Sequence, residues 1–251
     1  MASEDLSGFL AAWPHEPGRV NARLITGDDE REWVQVRLDL GVLQMSADGR
    51  PDGVYPENHE SLLDYHVHRR EQYVRQTSTS AGFVLSPDEC RSLREEAVQY
   101  YHRYVALFAI GDYDRVIRDT SRNLRLFDLC RDCGAAEPDR TLLEQFRPHV
   151  ITMRARAQAE LAVAEQQPKQ ALAAIDAGLA ELRAHLEEGG QTEAFERSSE
   201  AQLLRGMRDA LIPKLPASQR VELEERLRAA LDAENYELAA ILRDELRLLR
   251  D

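Results

Sequence analysis

The sequence has little lysine and cysteine and no long apolar run. Only Lys169 and Lys214 are lysines, so nearly all positive charge is arginine, which fits GC-rich coding or an acid-tolerant surface equally well and indicates no function. Three cysteines in 251 residues do not make a disulfide framework. No apolar stretch approaches the length of a transmembrane helix, and the first residues lack the basic region of a secretory signal. We therefore expect a cytoplasmic protein without a membrane partner.

Negative charge exceeds positive charge over the chain as a whole. The sequence has 45 Asp and Glu against 32 Lys and Arg, and its formal net charge at pH 7 is −13. Because an acidic surface repels phosphate backbones, we expect no direct binding to duplex nucleic acid. A hydrophobic content of 43% and a charged content of 31% are typical of a folded, helix-rich protein. The length allows one domain or two.

Changes in residue pattern divide the chain into four predicted segments. The fold class we expect is mainly α, with a helical, repeat-like body between a small antiparallel β-hairpin and a C-terminal helical hairpin. The segments are a leader over 1–18, a β-hairpin element over 19–57, a helical body over 58–212 and a terminal hairpin over 217–251. The leader is expected to be loose, apart from one helical turn within Leu6–Trp13.

The β element is predicted from alternation of apolar and polar residues. Apolar residues alternate over Val20–Ile25 and again over Val34–Leu40, on either side of the polar turn Gly27–Glu30. A third short strand is predicted at Val42–Met45, and the turn residues of Asp48–Gly53 end the region. Because so small a sheet is marginal alone, it must pack on the helices or on another copy of itself.

The body is predicted to be helical from its caps and breaks. Ser86 at the cap and Pro87 at the first helical position are a helix start, and Gly111 breaks that helix. In chain order, the predicted helices run from Asn58 or Ser61 to about Thr77, from Pro87 to about Ile110, from the Gly111–Asp114 break to about Cys130, over Leu142–Gln158 with Pro148 as start or kink, from the Gln166–Pro168 turn to Gly189, and over Glu193–Leu211.

The stretch Ala106–Leu126 resembles a tetratricopeptide repeat. It has small and aromatic residues in its first helix, Gly-Asp-Tyr at the turn and the pair Val116–Ile117 in its second helix. A weaker copy follows, with Gln166–Pro168 at the turn and Ala171–Leu172 in place of the Val-Ile pair. The resemblance implies a right-handed stack of helical hairpins. The spacing of the copies exceeds the 34 residues of the true repeat, so an ordinary helical bundle stays open.

The last part of the chain predicts two short amphipathic helices. They meet at Ala233–Asn235, a joint so short that the helices must lie antiparallel. Pro213 and Pro216 precede them as a stiff joint. Apolar spacings of three and four place a stripe on each helix. The stripes are Val221, Leu223, Leu227, Ala230 and Leu231 on the first helix, and Tyr236, Ala239, Ala240, Leu242, Leu246 and Leu249 on the second.

This hairpin resembles the UVR motif, the C-terminal helical hairpin of the excision-repair protein UvrB, which also occurs within UvrC and in the clp-controller protein McsA. The residues that carry the resemblance are Asn235-Tyr236-Glu237, Ala239-Ala240 and Arg243-Asp244. The resemblance implies a protein–protein contact element without catalytic activity, and UVR hairpins can pair with one another. The partner-binding residues we predict are Leu223, Leu227, Leu231, Tyr236, Ala239, Ala240, Leu242, Arg243 and Asp244. Among them, Tyr236, Ala239, Ala240 and Leu242 are expected to face Leu223, Leu227 and Leu231.

Cys130-Arg131-Asp132-Cys133 is the one chemical motif in the chain. Such a pair can be half a zinc site or a redox pair. Zinc needs four ligands, and only Cys90 and scattered histidines remain. The pair is predicted at a helix C-terminus, where the helix dipole raises a thiol pKa. We therefore expect the cysteines to be structural and the protein to bind no metal or other cofactor. The two alternatives are a metal shared across a dimer and a redox pair. McsA-like proteins carry several such pairs.

Two further groups of polar residues are weaker candidates. His59 and His66 would share a helical face but lie about 10 Å apart, too far for one metal, and His68 points elsewhere. The carboxylates of Asp39, Asp48, Asp52 and Asp64 could form a group, but their glycine and proline neighbours favour solvated turns. No P-loop, dinucleotide-binding glycine pattern or Ser/His/Asp order is present.

The sequence therefore favours a bacterial, cytoplasmic adaptor or scaffold without enzymatic activity, which binds an unknown protein partner through its terminal hairpin and self-associates. Two other classes of function stay open. One is an accessory factor in DNA repair or protein quality control, by analogy with proteins that carry the motif. The other is a non-catalytic subunit of an enzyme, in which the acidic region from Asp39 to Asp64 completes a site.

Overall fold

The computed structural model describes residues 5–190, 192–212 and 218–248. The chain forms two compact units, Met1–Val150 and Ile151–Asp251. Most of the described residues are helical, and the strands all lie in the first unit. Within these described ranges, every helix is too short or too polar to cross a lipid bilayer. The mainly helical fold with a small antiparallel sheet near its start is confirmed.

The first unit begins with a short helix and a three-stranded antiparallel sheet. Helix α1 spans Ser7–Ala12, and strands β1 (Asn21–Thr26), β2 (Glu32–Leu38) and β3 (Gly41–Ser46) pair in the order β1-β2-β3. The predicted turn at Gly27–Glu30 joins β1 to β2, and Val34 pairs with both Leu24 and Met45. The predicted hairpin and its third strand are therefore both present.

The two faces of this sheet carry different kinds of side chain. Val34 and Met45 are buried on the apolar face, and the sheet packs against the long helix α3 (Pro87–Ile110) of the same unit. On the polar face, Arg23 bonds Gln35, and Gln35 bonds Gln44. Of the two alternatives that its small size left open, the sheet therefore shows packing on a helix.

The leader is more firmly attached than its sequence predicts. The guanidinium of Arg23 lies 4.0 Å from the ring centroid of Trp13 and 5.2 Å from that of Phe9. Arg37 donates to the carbonyl of Trp13, and Asn21 donates to that of Glu16. The prediction of a loose leader is therefore wrong for residues 5–18, because strand side chains reach back to its backbone and rings. The helical turn within Leu6–Trp13 is confirmed as α1.

Helices α2 to α5 complete the first unit. Their bounds are α2, Leu62–Thr77; α3, Pro87–Ile110; α4, Tyr113–Cys133; and α5, Glu137–Thr141. Ser61 caps α2, and a reciprocal pair of bonds between Ser86 and Glu89 caps α3. Gly111 ends α3 at φ 82°, a conformation that favours glycine. These caps and breaks lie where the sequence predicts them, whereas α5 was not predicted.

Helix α6 (Arg147–Ala164) starts later than expected. The sequence predicts a helix over Leu142–Gln158, but Glu144–Phe146 forms a short 3₁₀ turn and the α-helix begins beside Pro148. A proline lacks the backbone N–H that an interior helical position needs, and is tolerated in the first turn. Of the two roles that Pro148 could have, the structure shows the helix start.

The second unit packs α6 against α7 (Pro168–Glu188) and α9 (Ser199–Leu211), with the short α8 (Thr192–Arg197) between the last two. Gly178 of α7 lies so near α6 that an added Cβ would be 2.4 Å from the Cβ of Ala155. Small residues therefore set the helix spacing. The buried cluster consists of Ala155, Ala159, Ala162, Ala171, Ile175, Leu204 and Leu211.

The helix predicted over Glu193–Leu211 is two helices. Ser198 interrupts it in an extended conformation, and its hydroxyl accepts a hydrogen bond from the N–H of Ala201. Serine competes with helical backbone bonds and is preferred at such a cap. The likeness of this body to tetratricopeptide repeats stays a prediction, although both predicted turns, at Gly111–Asp112 and Gln166–Gln167, join consecutive helices.

Candidate protein-binding hairpin

The C-terminal hairpin consists of α10 (Ser218–Asp232) and α11 (Tyr236–Leu248). The N–H of Asn235 bonds the carbonyl of Ala230, and the side chain of Asn235 accepts from the N–H of Leu238 at 3.1 Å. Asn235 thus ends one helix and caps the next. The turn at Ala233–Asn235 is where the sequence predicts it. Pro213, Pro216 and Leu249 lie outside the described residues, as does the side chain of Val221.

A thin apolar seam holds the two helices together. Its buried members are Leu223, Ala230, Ala239 and Leu242, and the partly buried Leu227 and Leu246 pack against them. No member of this seam belongs to the alanine-rich cluster of α6, α7 and α9. The hairpin therefore has a separate apolar core, which contains four of the seven residues predicted to form the seam, Leu223, Leu227, Ala239 and Leu242.

The other three predicted seam residues lie on the surface. Tyr236 is 68% exposed and Leu231 is 49% exposed, and Ala240 is also exposed. Their assignment to the seam is therefore wrong. For Ala240 the reason is that only one of two adjacent alanines on a helix can face the opposite helix. Ala239 is the one that faces the opposite helix. Tyr236 is the first residue of α11, next to the turn.

The hairpin also has exposed apolar side chains. Besides Leu231 and Tyr236, the side chains of Leu238 and Ile241 are exposed, and Ile241 lines a groove between α11 and the helices α7, α8 and α9. The predicted residues Arg243 and Asp244 are also exposed, with 3.7 Å between the nearest nitrogen and oxygen of the two side chains. Exposed apolar and aromatic side chains can form the centre of a protein-binding surface, with charged residues at its rim.

Ion pairs join the hairpin to the rest of the second unit. The buried carboxylate of Glu245 accepts from Arg208, which also bonds Asp176 at 2.6 Å. Burial acts to lower the pKa of Arg208, but hydrogen bonds to Asp176 and Glu245 outweigh burial and raise that pKa. Lys169 pairs with Glu222 of α10 at 2.8 Å. An open groove of about 680 Å³ separates much of α11 from α7, α8 and α9.

A buried network of arginines and carboxylates, which the sequence pattern did not reveal, organises the first unit. Arg103 is fully buried and bonds both carboxylate oxygens of Asp119, at 2.7 and 2.8 Å. Its remaining nitrogen donates to the carbonyls of Ser46 and Gly49, at 2.9 and 2.8 Å. One side chain therefore connects α3, α4 and the turn after β3.

Glu96 is the second centre of this network. Its fully buried carboxylate accepts from the N–H groups of Leu62 and Leu63, at 2.8 and 3.2 Å, and thus satisfies donors in the first turn of α2. Arg122 of α4 bonds the same carboxylate, and Arg50 lies 3.5 Å from it. One sequence feature could have indicated this network, namely the polar face of α4 formed by Arg115, Arg118, Asp119 and Arg122. A hydrophobicity pattern assigns that face to solvent.

The cysteines lie inside the first unit. Cys130 and Cys133 end α4 as predicted, and Cys90 packs beside Cys130, all three as buried free thiols. Burial raises the pKa of Cys130 to about 12, and it also raises the pKa values of Cys90 and Cys133. The structure thus brings together Cys90 and Cys130, a pairing across two helices that the Cys-x-x-Cys motif does not indicate.

The other polar candidates are dispersed. His59 precedes α2 instead of lying on it. The centroid of its ring is 5.4 Å from that of Tyr65 and 5.4 Å from that of His68. His66, in contrast, is buried. The expectation that His59 and His66 share a helical face is wrong. Within the described ranges, no group of three or more His, Cys, Asp or Glu side chains could hold a metal ion.

The four candidate carboxylates also have separate local partners. Asp48 pairs with Arg115 and Arg118 of α4. Asp39 accepts from the N–H of Leu40, Asp52 pairs with Arg50, and Asp64 bonds Ser61. Each of these groups therefore holds a turn or a helix start.

We expect the native protein to contain no stoichiometric zinc and to react slowly with a disulfide reagent such as Ellman's reagent. A thiol with a pKa of about 12 has roughly one thiolate in 10⁴ at pH 8, because each pH unit below the pKa lowers that fraction tenfold. All three thiols should react at once in guanidinium chloride. About one zinc per chain or per dimer by elemental analysis, lost in Cys130→Ser, would contradict this expectation.

Comparison with known proteins identifies one region. Residues 218–251 match the model of the UVR family, described as the UvrB/uvrC motif. This match covers α10, α11 and the turn between them, which confirms the resemblance seen in the sequence. No curated protein and no solved structure matches the chain.

Proposed function

We propose that this chain is a non-enzymatic, cytoplasmic adaptor or scaffold that binds a protein partner through its UVR hairpin. The observation that carries the proposal is the hairpin itself: α10 and α11 match the UVR family and pack on each other through a seam of their own. Helices of this length are marginal in water without further burial. A partner that covers the exposed Leu231, Tyr236, Leu238 and Ile241 would supply that burial.

Tyr236→Glu tests this proposal without disturbing the seam. Tyr236 is 68% exposed, so the substitution leaves the packing of α10 on α11 intact. A charge placed in an apolar contact should weaken binding by at least about tenfold, since aromatic anchors contribute about 2 kcal/mol or more. The measurement is the amount of each protein recovered with the tagged variant from a lysate of the source cells, by quantitative mass spectrometry.

The matched control is Tyr55→Glu, because Tyr55 is 66% exposed and lies in the first unit. A partner of the hairpin should be lost with Tyr236→Glu and retained with Tyr55→Glu. Equal recovery of every partner by both variants would contradict the assignment of binding to the exposed apolar residues of the hairpin.

We also propose that the chain self-associates. A hairpin with a thin core can bury more apolar surface by pairing with a second copy. A small sheet can likewise pair its edge strands with those of a second copy. Light scattering at tens of micromolar should therefore give a mass well above the 28.6 kDa of one chain. A mass of one chain at that concentration would contradict this proposal.

The second candidate function is that of an accessory factor in excision repair, which the family's description supports because it names UvrB and UvrC. In that case the recovered partner would be a repair protein. The contact would be with protein and not with duplex DNA, because the net charge of −13 repels phosphates.

A further inference from the structure

The first unit contains an apolar groove that has no part in the proposed function. It lies between α3, α4 and the segment that leads into α6, and its volume is about 500 Å³. Its walls include Tyr101, Tyr104, Phe127 and Phe146. This volume is within the range of small-molecule sites, and apolar and aromatic walls with a few polar groups are typical of them.

The apolar groups of the groove are accessible. Val98 is 52% exposed, and Tyr101, Leu142 and Phe146 are exposed beside it. Exposed apolar side chains that share one concave surface differ from singly scattered ones, because a ligand can remove all of them from water together. A ligand that fits this groove would therefore have an apolar body.

The polar groups of the groove indicate the charge of the ligand. In a chain with 45 Asp and Glu, none of the described residues that line this groove is acidic. Its polar lining includes Arg94 and His102. Arg94 bonds Asp139 through one nitrogen at 2.9 Å, and a guanidinium has five N–H donors in all. A cationic head group would find no carboxylate in the lining, whereas an anionic one would meet a guanidinium.

We infer that this groove binds a small amphipathic carboxylate, with its apolar body against Tyr101, Phe127 and Phe146 and its head group at Arg94. Arginine suits this role because its planar donors match the two oxygens of a carboxylate. The site is independent of the UVR hairpin, which belongs to the other unit.

Calorimetric titration of the whole chain with decanoate and with decylamine tests this inference. The two probes share an apolar chain of the same length and differ in the sign of their charge. Decanoate should bind at one site per chain and at least about tenfold more tightly than decylamine, because one charge-assisted hydrogen bond suffices for that factor. Equal affinities, or no binding of decanoate, would overturn the inference.

A pair of substitutions locates the site. Val98→Glu places a carboxylate in the groove, and Val54→Glu places one at a valine of similar exposure, 54% against 52%, outside it. The first variant should lower decanoate affinity at least about tenfold and the second less than about twofold, with unchanged melting temperatures. Phe146→Ala, which removes one exposed wall, should also weaken binding.

Retention of decanoate binding by Val98→Glu would place the carboxylate elsewhere and overturn the inference. So would a lower mass in light scattering for Val98→Glu than for Val54→Glu, because the groove would then be a contact between copies of the chain. Loss of hairpin partners in the pull-down bears on the proposed function alone, so the two results are distinguishable.

Discussion

Arg103→Leu is expected to lower the stability of the first unit by about 3–5 kcal/mol, the usual cost of removing one member of a buried ion pair. The reason is that Asp119 loses both of its bonds to Arg103 in a fully buried position, and the carbonyls of Ser46 and Gly49 lose their donor. Arg118 still bonds Asp119 but does not replace the paired geometry. In a domain of this size, such a loss lowers the melting temperature by about 6–20 °C.

Tryptophan fluorescence can follow this change in the first unit alone, because Trp13 and Trp33 are the only two tryptophans of the chain. The matched control is Arg91→Leu on the same helix. Arg91 pairs with Asp88 at 3.0 Å, but its side chain is 62% exposed, so its loss should change stability by about 0.5 kcal/mol or less. Equal effects of the two substitutions would show that the buried network does not stabilise the unit.

Ala239→Glu is expected to open the hairpin. Ala239 is 5% exposed in the seam, and an unpaired carboxylate there costs several kcal/mol, more than two short helices can offset. Amide protons of α10 and α11 should then lose their protection against hydrogen exchange, by about tenfold for each 1.4 kcal/mol. The alanine-rich cluster of α6, α7 and α9 shares no residue with the seam, so these helices should keep their protection.

The adjacent Ala240 is the control for this experiment. It is exposed, so Ala240→Glu should leave the hairpin protected. The sequence alone assigns both alanines to the seam, and only the structure separates them. If both substitutions abolish protection equally, the packing described for α10 and α11 is wrong.

The elements that could be predicted from the sequence are those whose local chemistry specifies them. Ser86 and Pro87 mark a helix start and Gly111 marks a helix end, whatever the rest of the chain does. Alternation along β2 likewise predicts a strand. Ser198 shows the limit, because a serine within an amphipathic pattern can lie on a helix surface or cap a new helix, and tertiary packing decides between the two.

The hairpin was predictable because its apolar periodicity and its motif residues both indicate two short helices. The buried charged network of the first unit was not predictable. Arg103 and Glu96 are fully buried, and a composition-based pattern places charged residues on the surface. Their burial depends on partners 16 and 26 residues away, Asp119 and Arg122. The groove at Phe146 was missed because its walls come from separate segments of the chain.

Partner binding is proposed to depend on the folded UVR hairpin, and the recovery of the partner by Ala239→Glu tests this dependence. Wild type and Ala239→Glu are compared in the same lysate, with the tryptophan transition of the first unit measured on both samples. We expect recovery of the partner to fall to background while this transition is unchanged. Full recovery of the partner by a variant whose α10 and α11 have lost their protection against exchange would contradict the account.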